Sequence, residues 1–453
     1  MTRVDMSLDW SEHYRNRMTS AEDAVSLVRP GDHVWVSLGQ QVGLLTAALI
    51  GRLGPDQAPI SLTTSSADDF SWYVGDVVEQ LRLNFVFAQA GSRDLVNDFR
   101  AEFTPWWVWG AHKSRDEHRP DATPIDVAMI RVSPPNNQGW CCFGNTQWDA
   151  LKTARMARTV LAVVSETVPR TYGDSWIHAS EIDWFVDNSS ADADQAERIA
   201  MLVAVMSAAP VSENEKTMAA NVASLVSDGD TIQVGTGTTT AAIVKAGVFN
   251  EKHDLGYFAE LTVPGLVDLV RKGVITGRYM ATHPGKFVTT MAGTLPAEAA
   301  FINGNPVFEF YSTDYMHDPA AIAKNTNMKA INNALSVDLT GQIAAGHLGA
   351  RVWSGTGGQL SYAMGAFLSK GGRSITLMPS TNKDGTQSRI VAQFPAGQIV
   401  TVPRDIADTI VTEYGVANLL NKTQRQRAAE LIAVAHPDHR PELRKQAAVL
   451  LGL

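Results

Sequence analysis

A pattern laid down near the N-terminus returns at a constant offset of 198 residues. Val25-Ser-Leu-Val28 answers Ala223-Ser-Leu-Val226, Gly31-Asp32 answers Gly229-Asp230, and Gly39 answers Gly237. Each copy reads as a capped helix, a Gly-Asp turn, a short buried strand, a glycine and an apolar helix. The capping boxes are Thr19 with Glu22 and Ser212 with Glu215. A duplicated helix–strand–helix module of this size restricts the chain to α/β folds built twice. With 453 residues it also exceeds one ordinary core. The expectation is two tandem α/β domains of related topology, residues 1–210 and 211–453. The Ser/Ala/Asp-rich stretch Asp187–Asp194 and a helix running to Ala209 join them, and Pro210 closes the first half.

The second copy carries more chemistry. Thr231–Val234 has the β-branched character of a buried strand, Gly235 and Gly237 punctuate it, Thr238–Val248 reads as a helix, and Leu255–Phe258 as a second strand. Glu260 then falls just past the C-terminal end of that strand, the edge at which open α/β sheets hold their ligands, and reads on spacing alone either as a catalytic carboxylate or as a solvated loop or helix N-terminal charge. The position that answers it in the first half is Leu62, and the nearest acids there are Asp68 and Asp69. A strand-end carboxylate is thus available in the second half alone. Thr240 stands where a dinucleotide fingerprint would have its third glycine, so that signal is incomplete.

Two further stretches stand out. Trp106, Trp107 and Trp109 either line an apolar pocket or belong to a core or subunit contact. Trp353-Ser-Gly-Thr-Gly-Gly-Gln359 is a tight loop, either a plain turn or a set of backbone N–H groups aimed at an oxygen. Further strands are expected at Ile60–Thr63, Leu83–Ala88, Ile125–Val132, Thr159–Val164, Phe287–Ala292, Val307–Tyr311, Ser336–Gln342 and Ser374–Met378.

Composition removes several functions. A net charge of −9 with no concentrated basic face argues against nucleic acid as a partner. The longest apolar run, Ile199–Val211, is too short for a bilayer, so no membrane association is expected. Met1–Arg17 is rich in polar and charged residues, so no leader is expected. Two adjacent cysteines, Cys141 and Cys142, suit buried thiols in a reducing cytoplasm. Eleven histidines form no metal-binding spacing, so no metal is expected.

Several segments in order resemble the acetyl-CoA hydrolase/transferase family, the class I CoA-transferases that include 4-hydroxybutyrate and butyrate CoA-transferases. They are Val132-Ser-Pro-Pro-Asn-Asn-Gln-Gly139, Val168–His178, Gly256–Glu260, Gly273–Thr276, His283-Pro-Gly285, Gly355–Gln359, Ser369–Gly372, Val411–Gly415 and Ala435–Asp438. The resemblance implies two related α/β domains with the active site between them, Glu260 as nucleophile and the Gly358 N–H as oxyanion donor. It implies acyl-CoA and a small carboxylic acid as substrates, coenzyme A as substrate with no resident cofactor, and a homodimer or homotetramer. Gly235, Gly237, Gly355, Gly357, Gln359, His317, Ser361 and Trp107 make up the expected CoA and substrate contacts.

The chain departs from the family pattern close to the nucleophile. Phe258-Ala259 replace a His or Thr followed by a small hydroxyl residue, His317 replaces an Asn, and Ser361-Tyr362 replace Asp-Phe. With the tryptophans, these changes suggest an acyl group bulkier than acetate. The functions in competition are a CoA-transferase, an acyl-CoA hydrolase on the same scaffold, and a non-catalytic acyl-CoA or metabolite-binding relative.

Overall fold

Runs such as Thr159-Val-Leu-Ala-Val-Val164 have no polar alternation and need cover on both faces, which a parallel sheet with helical crossovers supplies. The computed structural model describes residues 4–54, 58–65, 70–192, 210–293 and 295–452. The chain forms two compact units. One comprises Met1–Trp106, Gly110–Ser207 and Thr290–Asp314, the other Trp107–Trp109, Ala208–Thr289 and Tyr315–Leu453.

In the first unit eight strands lie in the order Met18–Thr19, Trp184–Asp187, Thr159–Val164, Val127–Val132, His33–Val36, Ile60–Thr64, Leu81–Phe85, Glu102–Phe103. Every neighbouring pair is parallel. All six residues of Thr159–Val164 are buried, as its composition requires.

In the second unit the order is Gly415–Asn418, Thr409–Thr412, Arg373–Leu377, Met328–Asn333, Thr231–Val234, Gly256–Leu261, then the start of Phe287–Met291. Pairing is parallel from Thr409–Thr412 to Gly256–Leu261, with an antiparallel edge strand at Gly415–Asn418.

The two sheets share a plan. His33–Val36 and Thr231–Val234, the strands of the repeated pattern, each lie between the next strand of their half and a later one, Val127–Val132 or Met328–Asn333. The chain leaves this central strand in one direction and returns on its other side, which makes its C-terminal end the switch point where α/β sheets open a crevice. Leu62, the counterpart of Glu260, is a buried core residue.

Some local expectations shift. The Ser212–Glu215 capping box forms, but the corresponding helix of the first copy, Ala21–Val25, is capped by Ser20, whose side chain accepts from the Asp23 N–H. The cap is thus Ser20 alone, and the expected Thr19–Glu22 box does not form. Strand Ser336–Asp338 ends early because the Asp338 carboxylate accepts from the Thr340 and Gln342 N–H groups and turns the chain. Met328–Asn333, a central strand, was hidden by its polar residues. Lys329 is buried in it, and its ammonium lies 3.4 Å from Asp230. The helix expected up to Ala209, most of the Ile199–Val211 run, and Asp68 and Asp69 lie outside the described residues. Cys141 and Cys142 are buried and free, and burial pushes the Cys141 thiol up to about 12. Among the described residues no helix is long and apolar enough to cross a membrane.

Helix Gln359–Leu368 crosses helix Pro319–Ala323 at Gly365, where a Cβ would run into Ile322. Gly365→Val should wedge the two apart. A loss of about 1–3 kcal/mol is expected, measured as a lower urea midpoint.

Candidate active site

Strand Gly256–Leu261 is longer than its apolar core suggests, so Glu260 is its penultimate residue instead of a loop residue beyond it. Being inside the strand fixes its backbone, and the Thr289 hydroxyl donates to the Glu260 carbonyl at 3.1 Å. The side chain is mostly withdrawn from solvent, the residue being 8% exposed.

The Glu260 carboxylate meets two elements of the same unit. The first is His317, fully buried, whose Nε2 forms a hydrogen bond to Glu260 Oε2, the imidazole donating to the carboxylate. Local chemistry holds His317 in place. The next residue, Asp318, caps helix Pro319–Ala323 by accepting from the Ala320 N–H, and Pro319 sits at its first position. Tyr315, two residues earlier, is bound by His283 Nε2 at 2.8 Å and packs edge-on against Phe258. Phe258, one of the departures from the family pattern, thus supports the segment that carries His317.

The second element is the N-terminus of helix Gln359–Leu368, where Gly358 is the cap and no side chain satisfies the first N–H groups. A Cβ on Gly358 would fall on Glu260 Oε2 and lie 2.8 Å from His317 Nε2. Only a glycine lets the helix end approach the carboxylate this closely. The unsatisfied N–H groups and the positive end of the helix dipole there favour negative charge.

Gly355 and Gly357, with φ of +123° and +55°, shape the loop that delivers this helix, and Gly346 abuts the Gly355 backbone. Gln359 and Ser361 lie in the first turn and are buried. The Trp107 indole N–H donates to Ser361 Oγ at 2.6 Å, and the Trp107 and Trp109 rings lie 4.9 Å apart. Trp106 goes elsewhere: it packs on Trp35 and His112 in the core of the first unit. The tryptophan cluster is therefore core packing at one residue and a neighbour of the site helix at another.

Gly235 and Gly237 adjoin a different feature. The nearest atoms to a Cβ at either belong to Asn332 or Asn333, at the end of strand Met328–Asn333, and Asn333 Oδ1 accepts from the Thr240 N–H. Tyr362 was not among the expected site residues, though the Ser361-Tyr362 departure signalled it. Its ring stands edge-on to His317 with centroids 5.7 Å apart.

The first unit holds a cavity of about 850 Å³ lined by Arg115, Lys152, Arg155, Asp174 and Asp314 among others. Two of its cations are ion-paired, Lys152 with Asp116 and Asp314 and Arg155 with Glu181. Among the described residues no group of three His, Cys, Asp or Glu side chains is placed to hold a metal.

A buried carboxylate at a sheet rim, held by an imidazole and facing a helix N-terminus, is an arrangement capable of nucleophilic acyl chemistry. The acetyl-CoA hydrolase/transferase N-terminal domain matches residues 1–193 and the corresponding C-terminal domain residues 298–447. The 4-hydroxybutyrate coenzyme A transferase of Clostridium kluyveri is 35% identical over 96% of this chain and 98% of its own. The succinyl-CoA:cyclohexane-1-carboxylate CoA transferase of Geobacter metallireducens is 32% identical over 97% and 96%. The crystal structure of 4-hydroxybutyrate CoA-transferase from Porphyromonas gingivalis superposes with a TM-score of 0.74 at 32% identity, covering 97% of this chain and 100% of that one. The chain belongs to the acetyl-CoA hydrolase/transferase family and is an enzyme of that family.

Proposed function

We propose that the protein is a CoA-transferase that moves CoA from an acyl-CoA to a carboxylic acid through a thioester on Glu260. The observation that carries this reading is the Glu260 carboxylate clamped between His317 and the open helix end at Gly358. A carboxylate needs no general base, and a thioester has a good leaving group in the CoA thiolate.

In the first step a Glu260 oxygen adds to the thioester carbonyl, and the C–S bond breaks to give a mixed anhydride and free thiolate. The thiolate then adds to Glu260 Cδ, and the acyl group leaves as its carboxylate. The product is a glutamyl-CoA thioester. An incoming carboxylate attacks it, and the same two steps in reverse yield the new acyl-CoA and regenerate Glu260. No net proton is exchanged at any stage. Each addition places an oxyanion near the donors that face the carboxylate. His317 fixes Oε2 and so presents the carboxylate in one orientation, and the Gly358 N–H supplies the donor at the helix end. Binding of the pantetheine and nucleotide arms, remote from the reacting bond, drives the strained anhydride step.

The residues that depart from the family pattern around Glu260, among them Phe258, His317 and Ser361, motivate the further reading of an acyl group larger than acetyl. A panel of acetyl-, branched and cyclic acyl-CoAs against acetate and succinate tests both parts. The expected result is thioester exchange that requires a carboxylate acceptor and runs fastest with a bulky acyl group. CoA release at the same rate with and without acceptor would make the protein a hydrolase, and a preference for acetyl-CoA would remove the bulky-acyl reading.

A further inference from the structure

The helix that faces Glu260 carries an unexplained hydroxyl. Tyr362 is fully buried, yet among the described residues its phenol oxygen has no hydrogen-bond partner. Leaving a buried donor unsatisfied is costly, and the family's usual phenylalanine would avoid that cost. Such an orphan in a native structure calls for an explanation, and a role in catalysis is one of the few available. A second orphan lies beside it: the Gln359 amide nitrogen, three residues back and thus on the same helical face, is also buried without a partner.

The position of Tyr362 sets its ring against the two elements that meet Glu260. Its N–H donates to the Gly358 carbonyl, one turn back. Side chains on a helix lean toward its N-terminus, so the ring covers the turn that begins at Gly358. There it meets the His317 ring edge-on. The phenol is pushed well above its ordinary pKa, first by burial, then by the Glu260 charge and then by Tyr257. It therefore keeps its proton throughout the neutral range and is suited to donate a hydrogen bond, not to act as base or nucleophile.

We propose that Tyr362 is a catalytic residue whose hydroxyl donates to the oxyanion formed when the CoA thiolate adds to Glu260. This rests on the Glu260 thioester reading above. In that step the sulfur forms a bond to Cδ and the carbonyl π pair moves onto oxygen. Collapse restores the carbonyl and expels the acyl carboxylate, and the phenol proton stays on Tyr362 throughout. In the resting enzyme the carboxylate oxygen is held by His317. The extra charge localised on one oxygen in the adduct gives the phenol a partner that the resting state lacks, so the interaction favours the transition state over the ground state.

The test is Tyr362→Phe, which removes one oxygen and restores the family's residue. The expected result is a kcat lower by about 10- to 100-fold, KM for acyl-CoA within about twofold of wild type, and the same fold-loss in the single-turnover rate of Glu260 labelling by acyl-CoA. Tm should equal or exceed that of wild type, since an unsatisfied group is gone. Unchanged kcat overturns the proposal, and so does a fall in Tm, which would show the hydroxyl to be holding the fold. Glu260→Gln is assayed alongside. If it retains activity, the thioester reading itself fails; if it is inactive while Tyr362→Phe matches wild type, the tyrosine proposal alone fails.

Discussion

Glu260→Gln should lower CoA transfer by about 10⁴-fold or more while leaving the fold intact. The amide has the size of the carboxylate and keeps an oxygen that can accept from His317, so the fully buried imidazole retains its partner. What the amide lacks is nucleophilicity toward a thioester. The loss should appear in kcat with every donor and acceptor, because the missing bond is common to all of them. A residual rate within tenfold of wild type would mean that CoA passes directly from donor to acceptor, with the carboxylate serving only to position the substrates. Thermal unfolding at the wild-type temperature completes the test, since it excludes misfolding as the cause.

Gly358→Ala should cost about two to three powers of ten, although it removes no functional group. The Gly358 backbone, at φ −83° and ψ −5°, suits any residue, so conformational strain does not enter. The added methyl would occupy the space of Glu260 Oε2 and crowd His317 Nε2. Either the carboxylate turns away or the helix end withdraws, and each separates the nucleophile from the donors that face it. Positioning errors of this order are known to cost about a hundredfold even when made far from the chemistry. Kinetically the change should fall on kcat and on the rate of Glu260 labelling. An alanine variant with wild-type turnover would show that the close approach of helix and carboxylate has no catalytic use.

The parts of this site differ in how far sequence alone reveals them. The 198-residue repeat exposed the α/β plan, because duplicated strands, Gly-Asp turns and caps are local features with local signals. It also singled out Glu260, since Leu62 in the corresponding place is a core residue in the first sheet. The central strand Met328–Asn333 was not legible: its Lys and Asn residues contradict a buried strand until Asp230 and Gln233 are seen as their partners. The pairing of His317 with Glu260 spans 57 residues and has no periodic signature. The same applies to Trp107 and Ser361, 254 residues apart. The adjacent tryptophans Trp106 and Trp107 show the limit most plainly, for one packs on a core and the next bonds the site helix, and nothing in Trp-Trp-Val-Trp separates them. Tyr362 appeared only as a departure from a pattern. Its significance depends on an unsatisfied hydroxyl, which only coordinates disclose.

The central claim is a covalent bond between this chain and coenzyme A. The direct measurement is the mass of the peptide containing residue 260 after incubation with acyl-CoA in the absence of acceptor, with and without borohydride. The account predicts a CoA adduct on that peptide, replaced after borohydride by the alcohol of a reduced glutamyl thioester, and neither product in Glu260→Gln. A protein that exchanges thioesters at full speed while residue 260 stays unmodified would contradict it.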